Sequence, residues 1–143
     1  MNTDTKKLLK ECNSGCKSAV DSIDQIKDRI SSPELRKRIE ECSRLHTEIG
    51  ERCHTLLSQG GSGDSNPPAI GMAMAHIGTE IKLAVNNSDS HIAEMMADGA
   101  AMGMKSISKV LNLYPNASDE SKNIAVEIVR EERGFFNDML GYL

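Results

Sequence analysis

Apolar residues recur in steps of three and four along the first part of the chain. Leu9, Cys12, Cys16, Ala19, Ile23, Ile26 and Ile30 form one ladder, and Leu35, Ile39, Cys42, His46, Ile49, Cys53 and Leu56 form a second. That alternation is the seam of a helix packed lengthwise on another helix. Between the ladders lies Ser31-Ser32-Pro33-Glu34. Ser32 can cap a helix, Pro33 suits its first position, and Glu34 complements the positive end of the dipole. Folding there predicts an antiparallel hairpin that sets Ile30 against Leu35, Ile26 against Ile39 and Ile23 against Cys42. Farther along, Ala19 faces His46, Cys16 faces Ile49 and Cys12 faces Cys53. All four cysteines and one histidine then point into a core.

The rest of the chain continues in the same helical period. The ladders predict helices over 5–30 and 33–59, followed by a Gly/Ser-rich link whose Pro67-Pro68 can open the next helix. A shorter helix over 69–85 carries Ile70, Met74, Ile77 and Ile81 on one stripe. Asn86-Asn87-Ser88-Asp89 breaks and re-caps it, which predicts a helix over 89–112. Tyr114-Pro115 ends that helix, and Ser118-Asp119-Glu120 opens the last one, over 118–143. No strand pattern appears. At ~1.5 Å per residue the four long helices are each ~35–40 Å, and the segment between the second and third can span that distance. The second and third long helices are therefore expected to run parallel, joined by a long crossover that contains the short helix, with a five-helix up-and-down bundle as the competing layout.

Composition narrows the class. The 143 residues suit one helical-bundle domain, 1–143, with a core that needs no metal or disulfide. Two Phe, two Tyr and no Trp leave the core to aliphatic residues, Met and Ala, which favours helix-on-helix packing. A net charge of −4 argues against nucleic-acid binding, because Arg36-Lys37-Arg38 is followed at once by Glu40 and Glu41. No run approaches the ~20 apolar residues that span a bilayer. A cytoplasmic protein with reduced thiols and no membrane insertion is expected.

Four features together resemble the small bacterial ferritin-like four-helix bundles, including spore coat protein F-like and related uncharacterised families. These are the Ser32-Pro33-Glu34-Leu35-Arg36 opening, the Gly/Ser link with its crossover helix, the stretch Asp89 to Lys105, and Arg130-Glu131-Glu132. The resemblance covers nearly the whole chain and implies an all-α ferritin-like bundle, with a role in bacterial stress or sporulation. Metal-binding bundles of this kind place a Glu on each of two helices and a Glu-x-x-His pair on each of the other two. The chain departs from that pattern. Asp21, Asp24 and Asp28 share an outward stripe, Ser43 stands three before His46, and the third long helix is Gly99-Ala100-Ala101-Met102-Gly103 at its middle. The fourth has Glu131 and Glu132 but no histidine, its next inward positions being Phe135 and Phe136. A degenerate metal site follows, with no iron cofactor expected.

The cysteines allow three readings. They are buried apolar filler, or Cys12 and Cys53 form a cross-link, or Cys12, Cys16 and Cys53 with His46 or a methionine bind zinc or copper. His46 opposite Ala19 reads first as a neutral core histidine bonded to a polar neighbour. Met72, Met74, Met95, Met96, Met102 and Met104 read as adaptable packing. Gly99-x-x-x-Gly103 admits a close neighbour, a small cavity or an oligomer contact. Glu132 falls on the inward stripe of its helix, so it needs a partner, for which Lys17, Lys105 and His46 are candidates. No nucleophile–base set, phosphate loop or cofactor motif is present, so no catalytic residue is expected. The leading expectation is a non-catalytic structural or interaction protein that self-associates, as a homodimer, or binds a protein partner. Thiol-based zinc or copper binding or redox sensing is the alternative, and a di-iron enzyme comes last.

Overall fold

The computed structural model describes residues 1–61 and 88–143. The expected crossover helix over 69–85, with Met72, Met74 and His76, lies outside the described residues. Four long helices are present: α1 (Thr3–Ile26), α2 (Pro33–Gln59), α3 (Asp89–Leu113) and α4 (Asp119–Leu140). No strand occurs among the described residues.

Each helix starts where its sequence supplies a side-chain cap. Asn2 accepts from the Thr5 N–H, Ser32 from Leu35, Ser88 from His91 and Ser118 from Ser121. Each thereby satisfies one of the unpaired amides of the first turn. Gly61 follows α2 at φ 72°, the left-handed region that ends helices and that side chains resist. Two helices end sooner than the pattern predicts. The first gives way to a 3₁₀ turn over Lys27–Arg29, after which Ile30 is extended at φ −81° and ψ 125°. This reverses the chain in few residues while keeping Ile30 buried. The last helix stops at Leu140, capped by Gly141.

The hairpin forms with the register of the ladders. Gly50 lies against Cys16 and Asn13, where an added Cβ would stand 3.4 Å from the Cys16 Cβ. Every ladder position is buried except Leu56, which is partly exposed; the adjacent Leu57 takes the buried place instead, and Leu8 joins it.

Hydrogen bonds at the two ends fix the direction of the second pair of helices. Asp89, in the first turn of α3, accepts from the backbone N–H groups of Ser31 and Ser32, both at 2.8 Å. The start of α3 therefore sits at the start of α2, and the two run parallel, as the length argument predicts. At the opposite end Ser118 N–H donates to Thr5 Oγ1 at 2.8 Å and Asn116 N–H to Asp4 Oδ2 at 3.0 Å, which brings the start of α4 to the start of α1. Arg38 with Asp138 at 2.6 Å and Arg52 with Glu127 at 2.8 Å hold α2 and α4 antiparallel.

The core divides into two apolar clusters. One contains Ile23, Ile26, Leu35, Ile39, Ile92, Met96 and Met139. The other contains Leu8, Leu9, Cys12, Cys16, Ile49, Leu57, Ile124 and Ile128. Of the α3 methionines, Met95 and Met96 pack in the core as expected, whereas Met102 is exposed.

Candidate functional site

On α2 the first cluster reaches Cys42 and the second resumes at Ile49; on α4 the second reaches Ile128 and the first resumes at Phe135. His46 and Glu132 lie in those two gaps and are both buried. His46 Nε2 stands 2.6 Å from Glu132 Oε1, while its Nδ1 stands 2.8 Å from the backbone carbonyl of Cys42 and 3.5 Å from the Cys42 sulfur. A carbonyl can only accept, so Nδ1 carries a hydrogen and donates to it. Nε2 and the carboxylate then share one proton.

Burial opposes a charged ring, but the hydrogen bonds to Cys42 and Glu132 and the nearby carboxylate outweigh it and hold the His46 pKa well above the usual histidine range. That direction favours a protonated ring donating to Glu132 over the neutral histidine expected from sequence. Of the three partners open to Glu132, the fold selects His46.

Gly103 on α3 lies beside this carboxylate. A Cβ there would lie 3.4 Å from Glu132 Cδ and 3.5 Å from Oε1. Beside it is a cavity of ≈ 20 Å³, lined by Ala19, Ser22, Cys42, Gly99, Glu132 and Phe135, among others. That is room for about one water molecule. The small residues of α1 and α3 thus yield a pocket, one of the outcomes open to the Gly99-x-x-x-Gly103 pattern.

The four cysteines are buried and free, so Cys12 and Cys53 are not cross-linked. Cys12, Cys16 and Cys53 share one apolar cluster, whereas His46 lies outside it with both nitrogens engaged. Burial raises the Cys12 and Cys16 thiols well above their usual range and pushes Cys53 up to about 12. His54 is exposed and His91 half-buried. Sequence reasoning missed Asp89 as the clamp on the α1–α2 turn, and it missed the Cys42 carbonyl as the second partner of His46. The four-residue spacing of Cys42 and His46 on one helix was the available signal for the latter.

In overall shape the chain is similar to a dodecameric thioferritin, the bacterioferritin-related protein from Bacteroides fragilis. The TM-score is 0.72 over 96% of this chain and 84% of that one, at 12% sequence identity. The fold is ferritin-like. No family model and no curated protein matches the sequence.

Against the metal pattern of ferritin-like bundles, α2 offers Ser43-x-x-His46 and α4 offers Glu132-x-x-Phe135. Each helix carries one half of a Glu-x-x-His pair, and the two halves bind each other. Asp21, Asp24 and Asp28 of α1 are exposed. Among the described residues no three His, Cys, Asp or Glu side chains converge as a metal ligand set. Among the described residues the donors at the bundle centre are one histidine and one carboxylate, short of the several carboxylates that a di-iron cluster needs. Among the described residues no helix is long and apolar enough to cross a membrane.

Proposed function

We propose that this chain is a non-catalytic ferritin-like bundle of structural or interaction type, which works as an assembly of several copies. One observation carries the reading: the imidazole and carboxylate at the bundle centre satisfy each other, with the remaining imidazole nitrogen bonded to the Cys42 carbonyl. To bind a metal, His46 would have to break a buried, charge-assisted bond and leave Glu132 without its partner. The dodecameric state of the structurally similar thioferritin supports self-association, of which the homodimer is the smallest form. The resemblance to spore coat protein F-like families supports a setting in bacterial stress or sporulation.

Metal analysis of the purified protein after incubation with Fe(II), Zn(II) and Cu(I), together with oxygen uptake on adding Fe(II), tests this reading. Less than a tenth of a metal equivalent per chain is expected, with no uptake above the protein-free rate. Two irons per chain, or catalysed Fe(II) oxidation that Glu132→Gln abolishes, would overturn it.

A further inference from the structure

The outward side of α4 is an unusual solvent face. Val126, Arg130, Arg133, Asn137 and Leu140 follow one another at three- and four-residue steps, and all are exposed. Val126 is 44% exposed and Leu140 46%, so an apolar residue closes each end of the row. Neither arginine is held in an ion pair among the described residues. Next to them Gly134 interrupts the helix with a poor helix former. A Cβ added at Gly134 would meet nothing within 4 Å, so packing among the described residues gives no reason for a glycine there. An exposed glycine between two cations and two apolar residues lets another backbone approach closely.

The surface of α1 and the turn after it carries the complementary charge. Asp21, Asp24 and Asp28 are exposed at steps of three and four, the same spacing as Arg130, Arg133 and Asn137. Asp24 bonds Lys27 at 3.2 Å, but both side chains are largely exposed. Such a pair is weak and can be exchanged for another.

We propose that the α4 face of one copy docks on the acidic stripe of α1 in a second copy, Arg130 and Arg133 meeting Asp21, Asp24 and Asp28. This rests on the self-association proposed above and names the surfaces that produce it. Charge selects this pairing, because α4 on α4 would set arginine against arginine and α1 on α1 would set aspartate against aspartate. Each copy carries both faces, so the contact either pairs twice about a two-fold axis or repeats head-to-tail into a larger closed assembly. Val126 and Leu140 bury their exposed surface at the ends of the contact.

Light scattering on the full chain tests this at low and high ionic strength. The expected result is an assembly of two or more copies whose apparent dissociation constant rises at least tenfold with salt. Arg130→Glu with Arg133→Glu, and separately Asp21→Arg with Asp24→Arg, should each give monomers with unchanged helical circular dichroism. Mixing the two reversed proteins should restore assembly, as should one chain bearing all four substitutions. If either reversed protein lost helicity, Arg130→Gln with Arg133→Gln would serve in its place, with monomers again expected. A wild-type assembly that persists through both reversals overturns this interface while leaving self-association intact. A wild-type monomer at every concentration and salt overturns both.

Discussion

His46 and Glu132 meet across the α2–α4 interface at 2.6 Å, with side-chain exposures of 1% and 6%, and the Cys42 carbonyl fixes the ring from its other side. The bundle thus has a polar middle layer between two apolar ones. Two charges taken from water cost several kcal/mol each, and their mutual bond offsets that only while both are present. The pair therefore ties α2 to α4 at one register more than it adds net stability.

Removing one partner should be far worse than removing both. Glu132→Ala is expected to lose roughly 3–5 kcal/mol, because it strands a buried imidazole. Glu132→Gln should lose less, since an amide can donate to a neutral Nε2. The double variant His46→Leu, Glu132→Met should be more stable than Glu132→Ala. Urea denaturation of the four proteins gives the comparison. Single variants within about 0.5 kcal/mol of wild type would show that the pair is not a closed, buried unit.

The pair also sets a pH dependence. The folded pKa of His46 is raised, so the native state holds its proton more tightly than the unfolded chain does. The stabilisation is complete below the unfolded histidine value of about 6.5 and declines as pH rises from there through the folded pKa. Denaturation midpoints measured from pH 6 to pH 10 should fall in wild type, and fall less in the His46→Leu, Glu132→Met variant. Parallel curves would place the titrating group elsewhere.

Most of this arrangement is legible in the sequence. The ladders fix the α1–α2 seam because each seam residue reports its own face, and the Ser32-Pro33 cap places the start of α2. Two adjacent leucines were harder to read. Leu56 and Leu57 both extend the three-four step, and the choice of Leu57 depends on helices that the first hairpin does not specify. The same holds for Glu132, whose partner depends on the register of α4 along α2 across a long connection. The 3₁₀ turn over Lys27–Arg29 was hidden because Ile30 keeps its seam position after the helix has ended.

Gly103 separates two readings of the small-residue face. A methyl group there would make ordinary contact with Glu132 at 3.4 Å. Gly103→Ala should therefore be neutral or stabilising by up to about 1 kcal/mol, since alanine is the better helix former. Gly103→Leu has no room beside the carboxylate and should destabilise by about 1–3 kcal/mol, as overpacking does. Thermal melts distinguish them. A costly Gly103→Ala would mean that α3 packs against α4 more tightly than this geometry.

Asp89 is the residue whose loss should loosen the parallel arrangement. Its two oxygens accept from the Ser31 and Ser32 amides at the head of α2, the partners these amides have among the described residues. Hydrogen bonds to a charged group contribute about 1.5–3 kcal/mol each, less where water can replace them. Asp89→Ala should therefore cost about 2 kcal/mol, and Asp89→Asn about half that. Hydrogen exchange should show faster amides at Ser31 and Ser32 in both variants. Unchanged exchange would mean that water serves these amides equally well.

The thiols test the core itself. The ladders place Cys12 opposite Cys53 on the α1–α2 seam, and all four cysteines are buried with no disulfide between them. The nucleophile is the thiolate, and burial keeps Cys12 and Cys16 protonated far above neutral pH, with Cys53 at about 12. Alkylation of the native protein should therefore be slow at these three, and slow at Cys42 because its side chain is buried, becoming fast only on unfolding. A chelator should change nothing. A zinc or copper site built from Cys12, Cys16 and Cys53 would also protect these thiols, but its protection would disappear on chelation. A Cys12–Cys53 disulfide would yield only to reductant. Four thiols that unfolding alone exposes are the expected count, and rapid labelling of Cys42 or Cys53 in the native protein would place the α2 stripe in water and break the register on which the whole bundle is built.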